Sequence, residues 1–253
     1  MTCLRISLVL GLAAALPAQA ILERADRDDG EYLEMAAKYT SSVAIEVPGG
    51  GEGVLVQPRW ILTSAQVASA LQAMKGMPPV TLDGRKYAIK DVRVYPTWRA
   101  GTPSSDLGLV YLDRAVKGVA PTTLYRADDE GGKGVVIVGH GETGKIGAAA
   151  RAGDGKKRAA INTIDRVAPK MLTLMVKKPD EASDLQGALG AGDGGGPAYI
   201  QEKDELFVAG IASGAEGDAQ LYARVSAFAA WMDAIFLRAA KDELRDELDV
   251  PGT

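Results

Sequence analysis

Short runs of β-forming residues dominate the chain between positions 42 and 222, and Gly, Pro and Asp separate them. No long helical pattern lies between the runs, which favours an antiparallel barrel or sandwich over an alternating α/β fold. The predicted strands are 42–47, 53–56, 60–63, 87–94, 107–112, 134–139, 159–164, 171–176, 206–211 and 220–224.

Two helices are predicted outside this pattern. The first is short, at 29–38, and the second runs from 226 to 248, ending before Pro251. The second helix carries a stripe of apolar residues at helical spacing, which indicates a face packed on the core: Phe228, Trp231, Met232, Ile235 and Phe236. The stretch 144–157 is rich in Gly, Ala and Lys without periodicity, so we expect an exposed, mobile loop there.

The first twenty residues have the pattern of a cleavable signal peptide. Arg5 is the charged flank, residues 6–16 are apolar, and Ala18-Gln19-Ala20 is a small-residue cleavage site. The apolar run is shorter than the about 20 residues that span a bilayer. We therefore expect a secreted or periplasmic protein, without a membrane anchor after cleavage. Cys3, the only cysteine, is removed with the signal, so the mature chain forms no internal disulfide.

The composition limits the classes of molecule that the chain can bind. The chain of 253 residues has a net charge of −4 and no block of basic residues, which argues against nucleic acid as a partner. Its length suits one large domain or two small barrels. We expect a monomer without a cofactor or a metal ion.

Two local patterns suggest other ligands. Residues 139–145 and 190–195 each fit a glycine-rich nucleotide motif, but Ile146 replaces the magnesium-binding Ser or Thr, and no lasting helix follows either segment. The acidic cluster at 26–31 has the oxygen ligands that calcium needs, although a solvated acidic face is the simpler interpretation.

Three segments, in order, resemble the chymotrypsin/trypsin family, and most narrowly its disulfide-free bacterial members. Residues 51–67 resemble the strand pair that leads into the family's Thr-Ala-Ala-His-Cys motif, with Gln66 in place of the histidine. Residues 105–112 resemble the Asp-Ile-Ala-Leu-Leu motif and put Asp106 at the catalytic aspartate. Residues 192–197, Gly-Asp-Gly-Gly-Gly-Pro, resemble Gly-Asp-Ser-Gly-Gly-Pro, with Gly194 in place of the nucleophilic serine.

Weaker similarities at 138–141, 210–213 and 222–225 fall in the expected order before the last helix. The resemblance implies an all-β fold of two antiparallel β-barrels with a C-terminal α-helix. The implied boundaries are about 21–130 for the first barrel, 131–225 for the second and 226–248 for the helix, with a tail at 249–253.

The resemblance also assigns the binding residues. The backbone N–H groups of Gly192 and Gly194 would form the oxyanion hole. The primary specificity pocket would include Ala188 at its base, with Ser213 and Gly214 beside it, and would prefer small or apolar groups.

Two further residues take family roles. Signal cleavage after Ala20 would expose Ile21, whose ammonium would pair with Asp193 and order the pocket. An isoleucine after a signal peptide also arises by chance, and the following residues depart from the family's Ile-Val-Gly-Gly.

Glutamine cannot shuttle protons near neutral pH, and glycine has no atom with which to attack a carbonyl. His140, the only histidine, falls where the family has a structural tryptophan, so we assign it a structural role. We expect the Gln66 amide and the Ser213 hydroxyl to donate hydrogen bonds to Asp106.

The resulting prediction is a non-catalytic protease homologue that binds a peptide or protein in the former active-site cleft. Two alternatives stay open: an active endopeptidase with an unrecognised site, or an active protease silenced by introduced changes.

Overall fold

The structure is a computed structural model that describes residues 21–148 and 151–248. The predicted signal peptide, 1–20, and the predicted tail, 249–253, lie outside the described residues.

The first part of the chain contains these elements in order: β1 (Leu22–Glu23), α1 (Asp29–Ala36), β2 (Ser42–Ala44), β3 (Glu52–Gln57), β4 (Trp60–Thr63), α2 (Ala65–Ala73), β5 (Val80–Leu82), β6 (Arg85–Tyr87), β7 (Ile89–Val94), β8 (Gly108–Leu112) and β9 (Thr123–Leu124). The second part continues with β10 (Gly134–Gly139), β11 (Glu142–Lys145), β12 (Arg151–Gly153), β13 (Arg158–Thr163), β14 (Arg166–Ala168), β15 (Met171–Met175), β16 (Gly187–Ala188), β17 (Pro197–Glu202), β18 (Glu205–Glu216), β19 (Ala219–Arg224), a 3₁₀ turn (Val225–Phe228) and α3 (Ala229–Leu248).

Two antiparallel sheets form the body of the molecule. The first has the order β2-β3-β4-β8-β7, and the second has the order β13-β10-β17-β18-β19-β15-β14, with β9 added in parallel beside β18. Each sheet covers an apolar core of its own. The predicted class, two β-barrels followed by a C-terminal helix, is confirmed.

A third core lies between the sheets and joins them. It combines residues of the first sheet, such as Trp60 and Leu109, with Tyr199 of the second and Phe228 and Met232 of the C-terminal segment. The helix thus packs its apolar stripe where the two sheets meet, as its periodicity predicts.

Aromatic contacts reinforce the same junction. The ring of Tyr95 lies 4.9 Å from that of Phe228 and 5.3 Å from that of Trp231, both edge-on, an arrangement that adds to area burial. The predicted helix begins as a 3₁₀ turn and becomes α-helical at Ala229. In the described part of the chain, no helix has the length and apolar character needed to cross a membrane.

The N-terminal segment packs on the second sheet although it comes first in the chain. β1 pairs in parallel with β11 and antiparallel with β16. Tyr32 of α1 is buried in the second core, where its hydroxyl donates to the Gln186 carbonyl at 3.0 Å. This helix ends at Ala36, two residues before the predicted end.

The exposed, mobile loop expected at 144–157 is only partly a loop. Residues 147, 148 and 153–156 are exposed, but Gly144 and Lys145 end β11, and Arg151–Gly153 form β12. β11 pairs with β12 on one side and with β1 on the other. Their order comes from pairing and from charges rather than from apolar periodicity: Thr143 and Lys145 both hydrogen-bond the buried carboxylate of Glu23. No apolar pattern in the segment could have indicated this.

Helix α2 is also absent from the sequence prediction. It starts directly after β4, and the Ser64 hydroxyl caps it by accepting from the Val67 N–H at 3.1 Å. This helix sets the position of Gln66, its second residue.

Candidate active-site cleft

The loop 192–196 between β16 and β17 is held from two directions. On one side, the Glu52 N–H of β3 donates to the Gly194 carbonyl at 2.9 Å. On the other, the Gly195 N–H donates to the Ala212 carbonyl of β18, and the Ala212 N–H donates to the Gly196 carbonyl, both at 2.8 Å. One strand from each sheet therefore fixes the loop's shape.

The glycines of this loop differ in whether the structure requires glycine at their positions. Gly195 has a φ of +89°, and a Cβ there would lie 2.2 Å from the Glu52 carbonyl oxygen. At Gly194, a Cβ would meet no atom within 4 Å, and the backbone is not left-handed. Of these two positions, 195 requires glycine for steric reasons, whereas a side chain such as serine fits at position 194.

Asp106 is linked to this loop through strand β18. It is buried, and it accepts hydrogen bonds from the Gln66 backbone N–H at 2.9 Å and the Ser213 hydroxyl at 2.7 Å. Because Ser213 follows Ala212 on β18, the strand that holds the glycine loop also supports Asp106. Burial raises the pKa of Asp106, and the hydrogen bonds from Ser213 and Gln66 oppose that rise.

The Gln66 bond differs from the expectation. The group that donates is the main-chain N–H at the start of α2, while the Gln66 side chain is exposed. A helix N-terminus directs its free N–H groups forward along the axis, and Asp106 satisfies one of them. The Gln66 side chain therefore points no donor at Asp106 in this structure.

His140 forms two hydrogen bonds with the side chain of Glu52. Its Nδ1 lies 2.8 Å from Glu52 Oε2, and its backbone N–H donates to Glu52 Oε1 at 2.7 Å. The Glu52 side chain is only 2% exposed. The histidine is thus tied to a carboxylate other than Asp106, in agreement with the expectation that it is not a displaced catalytic base.

A buried glutamine side chain lies beside residues of the predicted primary pocket. Gln220 of β19 pairs with Ala215 of β18, and its Oε1 accepts from the Leu189 N–H at 2.6 Å. Its side chain therefore crosses from the strand beside Gly214 to the residue after Ala188, and Gln220 is only 2% exposed.

This arrangement changes the expected pocket. Ala188 is buried, Gly214 has a φ of +147°, and Ser213 is committed to Asp106. Ser213 and Gly214 are adjacent on β18, and the Gln220 side chain links the neighbouring strand β19 to Leu189, the residue after Ala188. Sequence reasoning missed this residue, because a glutamine at the start of a strand carries no signal that its side chain turns inward.

Asp193 is fully buried beneath the loop. Its Oδ2 accepts from the Gly190 N–H at 2.9 Å, whereas its Oδ1 has no partner among the described residues. Burial, and next the charge of Glu52, raise its pKa well above the usual range. The hydroxyl of Tyr222, which feels the charge of Asp193, is likewise buried without a partner among the described residues.

Ile21 is fully buried in the second core, which also contains Tyr222. A Cβ built on Gly187 would lie 2.7 Å from the Ile21 side chain, and Leu22 pairs with Ala188. The described residues thus bring the start of the predicted mature chain to the strand beneath the pocket.

The alternative ligand sites do not form. The segment 139–145 passes from β10 into the strand β11 and opens no helix. In the acidic cluster, Asp28 caps α1 and Asp29 pairs with Arg158. No group of three or more metal-ligating side chains occurs among the described residues.

The comparisons with known proteins identify the family. The family model described as Trypsin matches residues 34–232. The chain belongs to the trypsin family. A solved structure titled "Atomic resolution structure of HBP" is similar to it, with a TM-score of 0.62 and 19% identity over 79% of this chain and 93% of that one. This likeness supports the trypsin-like fold. No curated protein matches the sequence.

Proposed function

We propose that this trypsin-family protein is exported and non-catalytic, and that it binds a peptide or protein through its cleft. The observation that carries the proposal is the contrast inside the site. The supports of the reaction are present, namely Asp106 with its two donors and the loop that contains Gly192 and Gly194, whereas the residues that would move protons and attack are a glutamine and a glycine.

The chemistry explains why this contrast matters. Peptide hydrolysis in this family needs an oxygen nucleophile, a base that takes its proton and a carboxylate that orients the base. Here only the carboxylate is present. In a well-studied serine protease, loss of the nucleophile or base lowers turnover by about a millionfold.

The histidine of this chain does not replace the missing base. His140 is the only histidine in the sequence, and its Nδ1 hydrogen-bonds the Glu52 carboxylate and not Asp106. The Ser213 hydroxyl donates a hydrogen bond to the Asp106 carboxylate and is part of the support. Export and a monomeric state belong to the same proposal, together with the absence of cofactor, metal and nucleic acid.

Restoring the missing groups tests the proposal. The native chain starting at Ile21 and the double variant Gln66→His with Gly194→Ser are compared on a fluorogenic protein substrate. We expect a silent native chain and measurable cleavage by the double variant, because serine fits at position 194. Cleavage by the native chain, or its labelling by a fluorophosphonate, would establish the alternative, an active endopeptidase.

Binding is tested separately with peptides selected from a displayed library on the immobilised native chain. The variant Gly194→Phe fills the open space at the centre of the cleft. Arg85→Ala, at an exposed ion pair, is the matched control. Peptides that bind the cleft lose affinity for the first variant only; equal binding to both would place the binding surface elsewhere.

We also propose that signal cleavage activates the cleft. Asp193 Oδ1 is a buried acceptor without a partner among the described residues. Ile21 is buried in the second core together with Tyr222, whose hydroxyl interacts with the charge of Asp193. An ammonium at the start of a chain beginning with Ile21 would supply the missing donor and the compensating charge. Export would then order the site without a second proteolytic step.

A further inference from the structure

The pair formed by Glu52 and His140 also faces a cavity. The cavity has a volume of about 630 Å³ and opens beside Gly192, so it belongs to the same cleft. Its lining includes apolar parts of Val47, Met74 and Pro78, together with Glu46 and His140. A mostly apolar cavity with a few fixed polar groups is the usual form of a binding site.

Glu52 holds the imidazole in one orientation. Its two carboxylate oxygens take the His140 backbone N–H at 2.7 Å and the ring nitrogen Nδ1 at 2.8 Å. The Glu52 main chain is fixed as well, since its N–H donates to Gly194 and its carbonyl accepts from the Thr63 hydroxyl at 2.5 Å. The ring therefore cannot turn without breaking a partly buried hydrogen bond.

This arrangement determines which nitrogen carries the proton. A carboxylate only accepts hydrogen bonds, so Nδ1 must be the donor. In a neutral imidazole the other nitrogen, Nε2, then has a lone pair and acts as an acceptor. The His140 side chain is 18% exposed, and it lines the cavity.

The charges around the cavity favour a ligand group that is positively charged and donates hydrogen bonds. Glu46 is exposed on the lining, and no Lys or Arg is among the described residues that form it. Glu52 also interacts electrostatically with Asp193 and with Lys157, whose Nζ donates a hydrogen bond to the Tyr39 carbonyl at 2.7 Å. An incoming group therefore meets one acceptor nitrogen and one free carboxylate.

We propose that this cavity is a specificity site for a basic side chain, Lys or Arg, of the bound peptide, with His140 Nε2 as the hydrogen-bond acceptor and Glu52 as the residue that positions it. The assignment rests on the proposed binding role of the cleft. It gives the cleft a recognition point away from Ala188 and the Gln220 side chain.

The single histidine makes the first test direct. In nitrogen-15 NMR spectra of the native chain, recorded from pH 6 to 9, the imidazole signals come from His140 alone, because it is the single histidine in the sequence. We expect the neutral ring to carry its proton on Nδ1, and Glu52→Gln to move it to Nε2. A native ring protonated on Nε2, or one that stays an imidazolium up to pH 9, would overturn the assignment.

The second test uses two acetylated tripeptide amides that differ only at the last residue, Ala-Ala-Lys and Ala-Ala-norleucine. We expect about tenfold tighter binding of the lysine peptide, the effect of one charge-assisted hydrogen bond, with a change in the Nε2 resonance. Glu52→Gln should abolish this preference, and Glu46→Gln should weaken it while leaving the Nδ1 proton in place.

Equal affinities for the two peptides, or no binding of either, would overturn the basic-ligand site. The cleavage comparison and the library selection report on the cleft itself, so a failure of this site is distinguishable from a failure of the proposed function. If Glu52→Gln does not fold, the native ring and the peptide pair still decide the matter.

Discussion

At the scale of single residues, Asp193 is a buried carboxyl whose pKa depends on what faces it. Without a cation, burial and the charge of Glu52 raise this pKa. A raised carboxyl pKa stabilises the fold below the ordinary value of about 3.9 and loses that stabilisation as pH rises through the folded-state pKa. A chain that retains Ala20 before Ile21 should show this loss.

A free ammonium at Ile21 should remove this loss of stability with rising pH. We expect urea unfolding between pH 5 and 7.5 to show a chain starting at Ile21 that keeps its midpoint, and a chain starting at Ala20 whose midpoint falls as pH rises. Two parallel profiles would mean that Asp193 and the mature N-terminus do not pair.

Gln220 leads to a second prediction at this scale. Its side chain is buried and bonds to Leu189, next to Ala188, so we expect it to narrow the primary pocket. The double variant Gln66→His with Gly194→Ser should then accept only residues with small side chains next to the cleaved bond. Adding Gln220→Gly should widen the range to large apolar residues.

A series of fluorogenic peptides with Ala, Leu or Phe at that position measures the effect through kcat/KM. We expect at least about a tenfold gain for Phe over Ala, which corresponds to about 1.4 kcal/mol of transition-state binding. An unchanged ratio would show that Gln220 is not the residue that closes the pocket.

At the scale of secondary-structure elements, a buried ion cluster fastens the N-terminal segment. The Arg158 guanidinium at the start of β13, only 1% exposed, pairs with Glu23 of β1, Asp29 of α1 and Asp154 at 3.0, 2.6 and 2.8 Å. Glu23 also pairs with Lys145 of β11 at 2.9 Å. One side chain therefore joins elements that are far apart in sequence.

Arg158→Met should be strongly destabilising, because it leaves the Glu23 carboxylate buried with fewer partners. We expect a loss of about 3–5 kcal/mol in the free energy of unfolding, measured by urea denaturation. Arg85→Met, which breaks the exposed pair with Asp83, should cost about 0–1 kcal/mol. Similar losses in the two variants would mean that the cluster contributes no more than a surface pair.

The elements also show what a sequence can predict. The strands around Leu62, Leu109 and Ile137 follow from apolar runs. The motifs directed attention to Asp106, which the structure gives as a buried carboxyl, and to the glycine loop, which bonds to both sheets. The two-residue strands β1, β9 and β16 have no periodicity of their own and exist only through their partners. The roles of Glu52 and Gln220 depend likewise on which side chains meet after folding, and this information is not local.

At the scale of the whole molecule, the central core makes the two sheets interdependent. Trp60 and Leu109 of the first sheet, Tyr199 of the second, and Phe228 and Met232 of the C-terminal segment share one apolar cluster. Neither sheet can lose this cluster without exposing apolar surface of the other. We therefore expect a single cooperative unfolding transition.

Phe228→Ala tests this coupling. It should reduce the unfolding free energy by about 3–5 kcal/mol and keep tryptophan fluorescence and far-ultraviolet circular dichroism coincident. Leu237→Ala, at an exposed position of α3, is the control with little expected effect. Separate transitions for the two probes would mean that the sheets unfold independently.

The open space at Gly194 also offers a handle for chemistry. The sequence after Ala20 contains no cysteine, so Gly194→Cys would place a unique thiol at the centre of the cleft, where its side chain meets no neighbour. A photoreactive crosslinker attached there would join covalently whatever molecule enters, and mass spectrometry would identify the captured partner directly from a cell extract.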